Sequence, residues 1–348
     1  MNNIIKEYNK WLLKQDIFGM SNGLLSGRLG LCLYWYQQSR MYSNRNYEKK
    51  ADQILEEVLR HIGSSTGVGF EDGLVGILLG INYLVKDKYI NVNIKTVFSD
   101  ANDKLFQYGY FRGIDPVVDE NVDIRHLIWI CIYYCQLIKD RNVSKENEYL
   151  IKRFVIESIN TIEEKLRGNH FSLMSEDCFK PFSYMPALLL CLIGKMYQLN
   201  LYTYKLNMFC FELSKKIVSN IPVNYGYRYM LYVYIEQLTH VIGNLPDGFY
   251  ETKRMLSSLI AKKSILHEFR RFDLDLRQGF SGLLFFILNN TNDPSLLGDF
   301  EKKIKNYVRN SPSDVWMNNK VYNCGDSITG VIYMYQRLKM YYEKNRFN

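Results

Sequence analysis

The sequence predicts an all-α protein, an (α/α)7 toroid in which an inner ring of seven helices lies within an outer ring. Short similar segments recur about every fifty residues along the chain of 348 residues, and periods of that size are typical of repeat architectures. Segments that are apolar nearly all round alternate with segments that have one apolar face, and only short strand candidates interrupt them. We therefore expect a single domain over residues 1–348.

The repeated segment has a small or polar residue, then Gly or Ser, then two residues, then a glycine followed by an apolar run. We call that last glycine the anchor, and we expect it near the start of an inner helix, where small residues let neighbouring backbones approach closely. The four clear copies have anchors at Gly30, Gly76, Gly282 and Gly330, and three weaker copies are anchored near Trp129, Leu189 and Tyr229.

The outer helices are predicted from segments in which apolar residues form one stripe opposite charged residues. In Lys145–Lys165 this stripe includes Phe154 and Ile159, as a surface helix requires. Inner helices are predicted where apolar residues cover most sides, as in Leu127–Leu137 and Met185–Met196. The other predicted outer helices are Asn46–His61, Tyr204–Ser219, Glu251–Lys263 and Asp299–Val308.

Composition excludes several classes of protein. The net charge of +8 is mild, and Lys and Arg are spread along the outer segments, so we expect no nucleic-acid partner. No apolar run is long enough for a transmembrane segment, and Met1–Trp11 lacks the apolar core of a signal peptide. The seven cysteines form no CxxC pair and lie mostly in apolar segments. Reduced thiols and a cytoplasmic location are therefore expected.

The repeat frame resembles the lanthionine synthetase C (LanC) family over about residues 20–342. Members of that family are cyclases that close thioether rings in ribosomally made peptides. In the family a Trp-Cys-Tyr-Gly motif opens the fifth inner helix and Cys-His-Gly opens the sixth. The resemblance implies that these two Cys and the His would bind a zinc ion, with its fourth position open to the substrate thiol.

The residues at those three positions differ in this chain. Asn224 and Arg277 stand where the family has Cys, and Gln278 stands where it has His. Amides are poor zinc ligands, and a guanidinium would repel the ion. Met185-Pro186 replaces a further His-Gly of the family, while Asp72 stands near its acidic residue. We therefore expect no metal and no other cofactor, and a pseudoenzyme rather than an active zinc cyclase.

Two other parts of the sequence hold cysteines that could in principle take part in chemistry. Cys131 and Cys135 share one helix face, with His126 just over one turn earlier, which is the spacing of a conceivable metal site. Their apolar surroundings favour core thiols instead. Cys324, just before the seventh inner helix, is expected to be a buried turn residue rather than a reactive one.

Three functions remain open at the level of sequence. The first is a zinc-free protein that binds a peptide, a peptide-modifying enzyme such as a dehydratase, or an exporter, in maturation of a ribosomally made, lanthipeptide-type product. The second is a carboxylate-based, glycosidase-like enzyme, because Asp72, Asp273, Asp275 and Asp326 lie near inner-helix starts. The third is a metal-independent thioether cyclase in which Arg277 lowers the pKa of a substrate thiol.

No catalytic residue is assigned from sequence, but a set of peptide-binding candidates follows from the resemblance. For Arg277 two roles are possible: it replaces the charge of the metal and anchors a peptide carboxylate, or it pairs with Asp273, Asp275 or Asp326. The candidates are Asn224, Tyr225, Arg277, Gln278, Asp72, His126 and Asp326.

Overall fold

The computed structural model describes residues 1–17, 19–62, 67–94, 98–110, 123–167, 179–260, 269, 274–288, 295–310 and 322–345. All regular secondary structure in these ranges is helical, which confirms the predicted all-α class. Asp273 lies outside the described residues. No helix in the described ranges is both long and apolar enough to cross a membrane.

The α-helices of the described residues alternate between two kinds. Even-numbered helices are apolar on most sides, whereas odd-numbered helices mostly have one buried face. In chain order they are α1 (Asn2–Leu12), α2 (Arg28–Tyr42), α3 (Arg45–Arg60), α4 (Leu74–Lys86), α5 (Ser99–Tyr108), α6 (Ile124–Lys139), α7 (Lys145–Arg167), α8 (Met185–Gln198), α9 (Thr203–Ser219), α10 (Tyr225–Val241), α11 (Asp247–Leu259), α12 (Phe280–Ile287), α13 (Ser295–Asn310) and α14 (Ile328–Asn345).

Every repeated segment begins an even-numbered helix. The four glycine anchors are each the third residue of their helix, and the three weaker anchors lie within the first two turns. One outer helix begins earlier than the predicted Glu251–Lys263. It starts at Asp247, directly after Pro246, because the fixed φ of proline suits the entry to a helix.

The chain divides into two compact units. Unit 1 comprises Met1–Ser64, Phe179–Pro181 and Lys263–Asn348, and unit 2 comprises Ser65–Cys178 and Phe182–Lys262. Unit 1 therefore holds the anchors Gly30, Gly282 and Gly330. The single-domain assignment stays a prediction.

In unit 1, helix α14 lies against α2, α12 and α13, and α2 packs on α3. The N-terminal ends of α2 and α14 lie together, because Cys324, just before α14, contacts Gly30 of α2. Further along the same two helices, Gln37 Nε2 donates to the backbone oxygen of Tyr333 at 2.9 Å. The two helices therefore run parallel.

In unit 2, helices α4, α6, α8 and α10 pack in that order, and the outer helices cover them. Phe70, before α4, stacks on Trp129 in the second turn of α6, with ring centroids 4.0 Å apart. At the other end Asn82 of α4 donates to Asp140 Oδ2, just after α6, at 3.4 Å. These helices also run parallel, so within each unit the inner-helix N-termini share one end. Their N–H groups and dipoles make that end favourable for negative charge.

Candidate functional site

Three loops of unit 1 meet at the N-terminal ends of its inner helices: residues 24–27 before α2, 274–279 before α12, and 322–327 before α14. Backbone hydrogen bonds connect them. Gly325 N donates to the oxygen of Leu25 at 2.7 Å, and the Gly325 oxygen accepts from the N–H groups of Leu276 and Arg277 at 3.0 and 2.9 Å. The loops therefore form one bonded layer under the candidate residues.

The anchors allow this close approach. A Cβ on Gly30 would lie 2.8 Å from Cys324 Cβ, and one on Gly330 would lie 3.0 Å from Leu276 Cβ. The added Cβ atoms would also overlap the backbone oxygens of Leu24 and Cys324, respectively, in the loops that precede these two helices. The residue six positions before one anchor thus packs on the anchor of the next repeat, which confirms the prediction that these glycines permit close packing.

Arg277 holds the side chains of this layer together. Its Nε donates to Asp326 Oδ1 at 2.7 Å, and its Nη2 donates to Asp326 Oδ2 at 3.4 Å and to Ser26 Oγ. A Cβ at Gly325 would lie 3.1 Å from Nη2, so only glycine leaves the guanidinium its full space there. The Arg277 side chain is 20% exposed and that of Asp326 is 41% exposed, so the ion pair lies at the surface of the layer.

Asp326 is fixed by its own loop as well. Asn323 Oδ1 accepts from the Asp326 N–H at 2.8 Å, and Asn323 Nδ2 donates to Asp326 Oδ2 at 3.2 Å. Of the carboxylates considered as partners of Arg277, Asp326 is the one that pairs with it among the described residues.

The carboxylate of Asp275 bonds to the backbone rather than to Arg277 among the described residues. Its Oδ1 accepts the backbone N–H of Gln278 at 2.7 Å, within the loop before α12. Asp275 does not cap the helix, because the N-cap of α12 is Gly279 and no side chain caps it. Burial raises the pKa of Asp275 above its usual value, and the charge of Asp326 adds to this, against the opposing effect of the Gln278 hydrogen bond. The Gln278 side chain is exposed.

The remaining candidates lie in unit 2. Asn224 caps α10, its Oδ1 accepting the N–H of Tyr227 at 3.1 Å. The ring of Tyr225 faces the guanidinium of Arg228 at 5.1 Å. His126 lies beside the backbone of the loop before α4, and Asp72 in that loop is exposed.

The residues at the implied zinc positions do not fit the metal. Arg277 is a cation held by a carboxylate, Asn224 uses its amide oxygen to cap a helix, and Gln278 offers only an amide. Zinc sites are built from thiolates, imidazoles and carboxylates. Within the described ranges, no three His, Cys, Asp or Glu side chains are grouped as a metal site would require.

The cysteine pair of the alternative metal position lies in the core. Cys131 and Cys135 are buried, and burial raises the pKa of Cys131 to about 12 and that of Cys135 also well above its usual value, as is typical of core thiols. Cys324 is buried as well, with its pKa raised by burial, as expected for a turn residue.

Sequence reasoning missed Ser26, the second acceptor of Arg277. The signal was present, because Ser26 stands four residues before its anchor, as do Asp72, Gln278 and Asp326. It also missed Tyr8 and Thr329, whose hydroxyl groups support the loop of Asp326.

No protein-family model matches the sequence, and no curated protein is similar enough to it to be counted as a relative. Among solved structures the chain is similar to nisin cyclase, with a TM-score of 0.61 and 14% sequence identity. The similarity covers 97% of this chain and 93% of the other. It confirms the predicted fold class.

Proposed function

We propose that this protein is LanC-like and binds a peptide, or a peptide-modifying enzyme such as a dehydratase, in lanthipeptide-type maturation, without zinc-dependent cyclisation. The fold shared with a protein named for the cyclisation of nisin supports the first part. The observation that carries the second is the ion pair between Arg277 and Asp326, at a position where the resemblance implies a zinc ligand.

The ion pair and a zinc ion would act differently on a substrate. A zinc ion with an open position lowers the pKa of a thiol that binds it. Arg277 carries a positive charge, but that charge is already neutralised by Asp326 and shared with Ser26. A thiol beside it would gain much less stabilisation as a thiolate, so metal-independent cyclisation by Arg277 is the weaker hypothesis.

In each unit, taken by itself, the proposed peptide contacts lie at the inner-helix N-termini, where backbone dipoles favour acidic groups. We assign the exposed Gln278 and the half-exposed Asp326 as peptide contacts in unit 1, and Tyr225, His126, Asp72 and Asn224 as contacts in unit 2. Arg277 either anchors a peptide carboxylate or holds the three loops in place, and its bonds to Asp326 and Ser26 support the second role.

One observation favours the carboxylate-based enzyme as a second candidate. The raised pKa of Asp275, close enough to Asp326 to feel its charge, is a property of general acids in glycoside hydrolysis. The backbone hydrogen bond that Asp275 accepts from Gln278 argues for a role in ordering the loop before α12 instead. Loss of any glycosidase activity on an Asp275→Asn substitution would support this candidate.

The test of the proposal uses synthetic cysteine-containing peptides, each prepared with a free C-terminal carboxylate and with a C-terminal amide. We expect the purified protein to bind such peptides and to contain far less than one zinc per chain by elemental analysis. Stoichiometric zinc that survives dialysis against a mild chelator would contradict the proposal.

Arg277→Ala distinguishes the two roles of Arg277. If it anchors a carboxylate, affinity for the free-acid peptide falls by about 1.5–3 kcal/mol, the range for a hydrogen bond to a charged group, and the preference over the amide disappears. If it holds the loops, the melting temperature falls and the preference is unchanged. Arg60→Ala is the matched control, because Arg60 also pairs with carboxylates but lies exposed on α3.

A further inference from the structure

Within unit 1, helix α1 is bound to its neighbouring helices through buried polar side chains. Tyr8 and Asn9 are both fully buried. Asn9 Oδ1 accepts the hydroxyl of Tyr34 at 2.5 Å, and Asn9 Nδ2 donates to Gln38 Oε1 at 3.1 Å. Because buried polar groups are costly when unpaired, such contacts fix one position of α1 against α2.

Tyr8 reaches a different helix. Its hydroxyl lies 2.5 Å from Thr329 Oγ1, near the start of α14. Thr329 Oγ1 is also 2.8 Å from the backbone oxygen of Tyr322, to which it donates. A threonine hydroxyl has one proton, so Tyr8 donates to Thr329 and Thr329 donates to Tyr322.

The same chain of bonds continues to the ion pair. Thr329 N donates to Ser327 Oγ at 3.1 Å, and Ser327 Oγ donates to the backbone oxygen of Asn323 at 2.6 Å. Asn323 in turn bonds both the backbone and the carboxylate of Asp326. The Ser327 hydroxyl also lies 3.0 Å from Thr329 Oγ1, so Thr329 and Ser327 are in direct contact as well as bonded through the backbone.

The segment around α1 holds the other end of this loop too. The hydroxyl of Tyr322 donates to the backbone oxygen of Asp16, and the Tyr322 ring meets Trp11 edge-on with centroids 6.3 Å apart. Loop 322–327 is thus attached to the N-terminal segment on both sides of Asp326.

We infer that Tyr8 is a positioning residue for the Arg277–Asp326 ion pair, acting through Thr329, Ser327 and Asn323. The inference rests on the proposed function for its consequence, that peptide affinity depends on α1. The position of the ion pair itself can be tested without any peptide.

The experiment compares Tyr8→Phe with Tyr34→Phe in the full chain. Both remove one buried hydroxyl that bonds α1 to a neighbouring helix, but Tyr34 donates to Asn9 and not to the loop. The readouts are the side-chain Nε–H NMR signal of Arg277 and amide hydrogen exchange in residues 323–327. In Tyr8→Phe we expect the signal to move towards that of a solvated arginine and exchange to rise roughly three- to ten-fold, the scale of one hydrogen bond.

In Tyr34→Phe both readouts should match the wild type after correction for any change in global stability. An unchanged Arg277 signal in Tyr8→Phe, or an equal shift in both variants, would overturn the inference. Thr329→Val removes the bond from Tyr8 together with the bond from Thr329 Oγ1 to the Tyr322 oxygen, so it should move the Arg277 signal at least as far as Tyr8→Phe does. Peptide affinity is measured separately on the same variants, so a wild type that binds no peptide contradicts only the proposed function.

Discussion

Each unit contains a contact between the loop before one inner helix and the anchor of the next repeat, and the side chains in the two contacts differ greatly in size. In unit 1, Cys324 stands six residues before its anchor and packs on the next anchor, Gly30. In unit 2, Phe70 stands at the same place in its repeat, and the next anchor is Trp129, on which its ring stacks at 4.0 Å. The two contacting residues occupy the same position in their repeats, but the anchor that they contact is glycine in unit 1 and tryptophan in unit 2.

The size of the anchor decides what kind of surface results. Where the anchor is glycine, the loops approach until their backbones bond, as between Gly325 and Leu25, and a polar ion pair lies above them. Where it is tryptophan, rings fill the gap, and Trp129 Nε1 donates to the backbone oxygen of Phe182 at 3.0 Å. At these two contacts the position in the repeat is the same, and the size of the anchor residue differs. The contrast concerns these two contacts and not every anchor, because the glycine anchor Gly76 lies in unit 2.

The largest effect is expected from removing the ring that replaces the close backbone contact. Phe70→Ala should lower the free energy of unfolding by about 3–5 kcal/mol, because Phe70 is buried between Trp129 and Phe182. Tyr204→Ala, at a side chain that is 77% exposed, should change it by less than about 0.5 kcal/mol. Denaturant unfolding measures both. Similar values for the two variants would show that the aromatic stack does not stabilise unit 2.

A somewhat smaller effect is expected from adding a methyl group at a glycine anchor. Gly330→Ala should cost about 1–3 kcal/mol, because the new Cβ meets Leu276 and the backbone of Cys324. Gly298→Ala in α13 is the control, since its Cβ would meet nothing within 4 Å. That change should instead stabilise the protein by about 0.5–1 kcal/mol. A neutral Gly330→Ala would mean that the loop can move aside, and the contrast between the units would be lost.

The smallest effect is expected on the pH dependence of stability, from the carboxyl group of Asp275 in the loop before α12. The pKa of Asp275 is raised from 3.8 by burial, so its contribution to stability is present at low pH and is lost as the pH rises through the folded-state value. Asp275→Asn keeps an oxygen for the Gln278 N–H but does not titrate. The variant should therefore gain stability relative to the wild type between about pH 4 and pH 7. Unfolding free energies at the two pH values measure this, and a difference independent of pH would refute it.

Much of the fold follows from the sequence because helix starts are local. The glycine anchors predict the starts of α2, α4, α12 and α14, since a tight turn followed by an apolar run needs only neighbouring residues. Amphipathic stripes predict α3 and α7 to within two residues at either end. The role of α1 could not be predicted in this way. Nothing near Tyr8 indicates that its hydroxyl is buried against a residue 321 positions away.

The site was predictable only in part, for the same reason. The sequence identifies Arg277 and offers three carboxylates, but choosing Asp326 requires the register between two loops 49 residues apart. That register is set by the hydrogen bonds of Gly325 and not by any local pattern. Asp275 is nearer in sequence, yet its carboxylate accepts the backbone N–H of Gln278 instead.

The assembly of unit 1 from two distant stretches of the sequence has a consequence during synthesis. Unit 2 comes from an almost continuous stretch, whereas unit 1 needs both Met1–Ser64 and Lys263–Asn348. Helices α1 and α2 leave the ribosome well before α14, with the apolar surface of α2 still uncovered. At about 5–20 residues per second, on the order of tens of seconds pass before Thr329 is synthesised. Helix α1 therefore gains its contact with Thr329 only after the start of α14 has been made.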